Sequence, residues 1–102
     1  MTRQVSVALL VRFEAAPGKE QEVVDLLRGG LALVEQEPDT VRWFGLRFGP
    51  SSFGIFDAFP DASGRQAHLD GEVARALQGA IGTLIQQPTF EPVDVLVERP
   101  PQ

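Results

Sequence analysis

The chain has 102 residues, of which 43% are hydrophobic and 23% charged, with a formal net charge of -5 and no cysteine. A chain of this length holds one domain and buries roughly 60 to 70% of the surface it exposes when unfolded, so residues 1–102 are expected to share a single modest core. The composition is too apolar for intrinsic disorder, the scattered basic residues argue against a nucleic-acid partner, and the lack of cysteine excludes disulfides, thiolate nucleophiles and cysteine-rich metal sites.

Val5 to Phe13 places Val5, Val7, Leu9, Val11 and Phe13 on one parity, which predicts a strand with one strongly buried face. Its longest apolar run, Val7 to Val11, is far shorter than the roughly 20 residues of a membrane span, and neither a basic leader nor a cleavage site is visible. A soluble cytoplasmic protein without a membrane partner is the expectation.

Pro17-Gly18 interrupts the strand. From Lys19 to about Gln36, Val23, Leu27, Leu31 and Val34 recur at helical spacing until Pro38 stops the pattern. Gly29-Gly30 weakens this helix and implies either a close approach to another backbone or a local bend. Val41 to Phe48 and Phe53 to Phe59 read as two strands joined through Gly49-Pro50-Ser51-Ser52, a hairpin. Asp61 is placed to cap a short helix through Leu69. After Asp70-Gly71, Val73, Leu77, Ala80, Ile81 and Leu84 define another helix, ended by Pro88. Glu91 to Glu98, with Val93, Val95 and Val97 on one parity, predicts a last half-buried strand.

The order strand, helix, strand, strand, helix, strand is the ferredoxin-like split βαβ arrangement: an α+β fold with one antiparallel sheet and helices on one face. The predicted strands carry aromatic residues on both faces, Trp43, Phe53 and Phe59 on one and Phe44 and Phe56 on the other. The helices can cover only one of them, so a second copy of the chain is expected to cover the other in a homodimer.

The stretch Phe53-Gly54-Ile55-Phe56-Asp57-Ala58-Phe59-Pro60-Asp61-Ala62-Ser63-Gly64-Arg65-Gln66-Ala67-His68-Leu69 resembles the antibiotic biosynthesis monooxygenase domain family, with its aromatic strand, acidic-proline turn and alanine-histidine-leucine element. The resemblance extends over nearly the whole chain and implies a dimeric α+β barrel. It also implies one of several activities: cofactor-independent oxygenation of polycyclic phenols, haem degradation, or the handling of small aldehydes and quinols. The haem-degrading branch uses an asparagine, a tryptophan and a histidine together. This chain has neither asparagine nor tyrosine, which leaves Trp43 and His68 of that set.

His68 is the one side chain that titrates near neutrality unperturbed, which makes it the candidate general base; the alternative is a histidine packed between helix and sheet. Asp57 shares its parity with Phe53, Ile55 and Phe59, so if that face is buried its carboxylate must be paired or hold its proton more tightly; it is the second catalytic candidate. Trp43 and Arg47 share a face across Gly45 and could floor a pocket for a planar anionic aromatic molecule, with Phe59 on the same side of the sheet as a further substrate-binding candidate. Alternatively, Trp43 fills the core and Arg47 pairs across the hairpin with Asp57. No phosphate loop, Ser-His-Asp set or metal-ligand spacing is present, so no cofactor and no metal are expected. The leading expectation is a cofactor-independent monooxygenase acting on an aromatic or polyketide-like substrate. The resemblance implies proton removal, electron donation from the substrate carbanion to oxygen, and collapse to a peroxide. The alternative is a non-catalytic dimeric barrel that binds a small apolar or aromatic ligand or serves as an accessory protein.

Overall fold

The computed structural model describes residues 3–100. Seven elements follow in chain order: β1 (Val7–Glu14), α1 (Glu20–Val34), β2 (Arg42–Arg47), β3 (Ser52–Phe59), α2 (Ala62–Leu69), α3 (Glu72–Ala80) and β4 (Thr89–Asp94). The four strands form one antiparallel sheet in the order β2-β3-β1-β4, the ferredoxin-like arrangement predicted from the element order.

Strand parity decides which side chains meet the helices. Leu9, Val11 and Phe13 of β1 and Phe53, Ile55 and Phe59 of β3 point to the helical side. With Val23 of α1, Leu77 and Ala80 of α3 and Ile85, they form the core. Gly30 of α1 is buried because the Trp43 ring passes over it: a Cβ there would lie 3.2 Å from two ring carbons. Gly29 meets nothing within 4 Å, so only Gly30 serves a close approach, and what approaches it is the Trp43 side chain rather than the expected second backbone.

Asp61 caps α2 as predicted, its carboxylate accepting from the Gly64 N–H at 3.0 Å and from the Ser63 hydroxyl at 2.7 Å. The last helix is shorter than its apolar pattern. It ends at Ala80, Gly82 adopts φ 88°, and Ile81 and Ile85 are drawn into isolated bridges, so Leu84 and Ile85 reach the core from a turn.

The final strand also lies earlier than predicted. It pairs with β1 from Thr89 to Asp94, is exposed throughout, and gives way to irregular chain in which Leu96 and Val97 are 91% and 90% exposed. Alternation of valines marked an extended segment, but only pairing with β1 makes a strand. The Val95 N–H donates to the Ser6 carbonyl at 2.9 Å. Hydrogen-bonded pairs alternate along an antiparallel ladder, so Thr89, Glu91 and Val93 also turn their amides toward β1, while Phe90, Pro92 and Asp94 face outward.

The sheet face away from the helices carries Leu10, Phe44, Leu46, Phe56 and Val93, with Phe44 half exposed. Among the described residues, no helix is long and apolar enough to cross a membrane.

Candidate functional site

Two polar groupings lie on the helical side of the sheet. The first is sealed. Asp57, from the middle of β3, is 0% exposed, and His68, from the last turn of α2, is 5% exposed. The imidazole lies between two carboxylates. Its Nδ1 is 2.6 Å from Glu37 Oε1, and its Nε2 is 2.9 Å from Asp57 Oδ2. Glu37 also accepts from the Thr40 hydroxyl at 2.8 Å, which fixes the α1–β2 connection against α2. The His68 ring further packs on Phe59 with centroids 5.4 Å apart.

The Nε2 contact is the one polar contact Asp57 makes through its side chain among the described residues, and it leaves Oδ1 without a partner. Burial pushes the Asp57 carboxyl above its ordinary value, and the pull of His68 only partly opposes this. Burial acts to lower the affinity of His68 for its second proton, but the contacts with Asp57 and Glu37 outweigh it, and the net direction is upward. With a carboxylate on each ring nitrogen, the imidazolium is the form that fits both contacts. The two nitrogens face different carboxylates, and among the described residues no three acidic or imidazole groups converge on one point as metal ligands would.

The second grouping is open. Between α1 and β2 lies a cavity of about 420 Å³, with Trp43, Gly45 and Arg47 of β2 and Phe53 of β3 on the sheet side and Leu27 and Arg28 on the helix side. Gly45 leaves the floor low: a Cβ there would lie 3.4 Å from Leu27. The Arg47 guanidinium sits 5.1 Å from the centre of the Phe53 ring. Arg28 and Arg47 have no ion-pair partner among the described residues. The Trp43 indole N–H is buried and also lacks a partner among the described residues. A second cavity of about 310 Å³ lies on the other side of Trp43, between α1 and α3.

Sequence reasoning placed Trp43, Gly45 and Arg47 on one face, and the structure brings these three together at the cavity. His68 and Asp57 meet each other, while neither they nor Phe59 line either of these two cavities. Asp57 stands opposite Trp43 in the hairpin register and Arg47 stands opposite Phe53, so the alternative pairing of Arg47 with Asp57 does not form. Two residues were missed. Arg28 carried a signal, because it falls four residues after Val24 and three before Leu31, on the side of α1 that lines the cavity. Glu37 carried none, since it meets His68 from 31 residues away through the fold alone.

Neither a family model nor a curated protein matches the chain. Among solved structures, the NE2512 protein of unknown function from Nitrosomonas europaea is 46% identical, with 96% of each chain covered and a TM-score of 0.92. The chain belongs to the same family as that protein. Its fold is that of the antibiotic biosynthesis monooxygenase domains. A Deinococcus radiodurans protein provisionally designated as such a monooxygenase superposes with a TM-score of 0.77 at 14% identity, covering 91% of this chain and 95% of its own. A variant of SnoaB, a cofactor-independent oxygenase from Streptomyces nogalater, superposes with a TM-score of 0.75 at 16% identity, covering 93% of this chain and 97% of its own.

Proposed function

We propose that this chain binds a planar, readily ionised phenol or enol in the cavity between α1 and β2 and presents it to molecular oxygen as a cofactor-independent oxygenase. The observation that carries this reading is the pair of guanidinium groups, Arg28 and Arg47, left without acidic partners at the edge of an aromatic-floored cavity. Two cations there favour the anionic form of a bound phenol or enol, so the proton leaves to solvent and no side chain in the lining need act as base. The carbanion form of the substrate gives one electron to oxygen. The resulting radical pair joins as a peroxide anion, which takes up a proton, and loss of water leaves a carbonyl where the substrate had a CH₂ group. One molecule of oxygen thus supplies one atom to product and one to water. The fold shared with SnoaB supports the reading.

In this reading Asp57, His68 and Glu37 hold α2 and the α1–β2 connection against the sheet, and a second copy of the chain covers the apolar face bearing Phe44 and Phe56. Phe44→Asp is then expected to give a monomer by light scattering, and a variant that stays dimeric would place the contact elsewhere.

A second reading has one observation in its favour: no histidine, aspartate or glutamate lines the cavity. On that reading the barrel binds the aromatic anion without reacting it. Oxygen uptake with anthrones, quinols and hydroxynaphthoates, without added cofactor, separates the two. Uptake that falls at least tenfold in Arg47→Gln supports the oxygenase, whereas saturable binding without uptake supports the binding barrel.

A further inference from the structure

Trp43 divides two cavities that share it and Leu27 as walls. The outer one carries Arg28 and Arg47. The inner one has a single charged lining residue, Asp25, and is otherwise apolar, with Leu26 and Leu33 of α1, Ile55 of β3 and Val73, Ala76 and Leu77 of α3. At about 420 and 310 Å³, each lies near the lower end of the roughly 300–1,000 Å³ seen for small-molecule sites, and the two together fall well inside it. The partition is held by packing alone. Its ring rests over Gly30, where a Cβ would lie 3.2 Å from two ring carbons and crowd it, and its buried N–H has no partner among the described residues, although buried indoles ordinarily find one. Nothing polar ties the ring in place.

We propose that the inner chamber is the second half of the binding site, and that the ligand is an aromatic anion bearing an apolar substituent. The anionic ring lies against Arg28 and Arg47, the substituent passes the edge of Trp43 into the chamber between α1 and α3, and Trp43 sets how much of it enters. The inference rests on the reading that the outer cavity holds an aromatic anion.

The test is the affinity of the full-length protein for 4-alkylbenzoates from methyl to hexyl, measured by calorimetry and by the emission of Trp43, the single tryptophan of the chain. Burial of each added methylene is expected to tighten binding about threefold to fourfold until the chamber is full, with a growing change in Trp43 emission. Arg47→Gln is expected to weaken every member by the same factor and keep the slope. Ala76→Phe, which fills the inner chamber from α3, is expected to flatten it. Binding of 4-methylbenzoate with no gain along the wild-type series would overturn the inner subsite and leave the outer one standing. Failure of every member to bind would overturn both.

Discussion

The sealed cluster of Glu37, Asp57 and His68 and the open cavity of Arg28, Trp43 and Arg47 occupy the same side of one sheet, and their centres are cross-strand neighbours, since Trp43 pairs with Asp57. In the first, opposite charges find each other and water is shut out. In the second, like charges stand beside unfilled space. A buried charged group with its complement in the chain is spent on holding elements together, whereas charged groups left without a complement await one from outside. Titratability alone therefore points to a group already engaged within the fold: the single histidine has a carboxylate at each ring nitrogen.

The sharpest way to break this contrast is to remove one member of the sealed cluster. Asp57→Ala leaves His68 buried against Glu37 without its second counter-charge, and the expected loss is about 3–5 kcal/mol of stability in urea unfolding. A loss under about 1 kcal/mol would show that the cluster does not hold the fold. Arg47→Gln is expected to act in the opposite sense. Binding of an aromatic carboxylate should weaken roughly 10- to 100-fold, the worth of one charge-assisted hydrogen bond, while unfolding shifts by no more than about 1 kcal/mol from the lost contact with Phe53.

Acidity distinguishes the two regions as well. The folded state raises the proton affinity of His68 above its ordinary value of 6.5, so its contribution is complete below that pH and is lost as pH rises through the raised value. Asp57 is raised too, so folding gains rather than loses from its protonation as pH falls toward 3.8. The urea midpoint is expected to decline as pH rises above about 6.5 in the wild type and to decline less in His68→Gln; equal slopes would remove the imidazolium from the account. The smallest effect concerns the two glycines of α1. Gly29→Ala, with open space around it, is expected to stabilise by about 0.5–1 kcal/mol, while Gly30→Ala gains nothing because the methyl meets the Trp43 ring.

Much of this was legible in the chain. Parity in β1 and β3 assigns the core face residue by residue, and Trp43, Gly45 and Arg47 fall on one side of β2 by counting alone. The ends of elements were less legible. Leu84 and Ile85 keep the apolar spacing of a helix although Gly82 has already turned the chain, and Val95 and Val97 keep the spacing of a strand although the pairing with β1 ends at Asp94. Pairing of Glu37 with His68 could not be read, because it depends on where the α1–β2 connection crosses α2, a property of the assembled layers.

Pro92 has a bearing on how copies of the chain can meet. It occupies the middle of the three outward-facing positions of β4, so the free rim of the sheet offers an amide at Phe90 and at Asp94 and none between them. A strand laid along that rim would leave one of its own carbonyls without a donor, and the proline ring would stand in its way. Growth of the sheet sideways into a fibre-like ribbon is thereby discouraged at its most accessible border, and the exposed valines and leucine beyond it are kept from becoming a template.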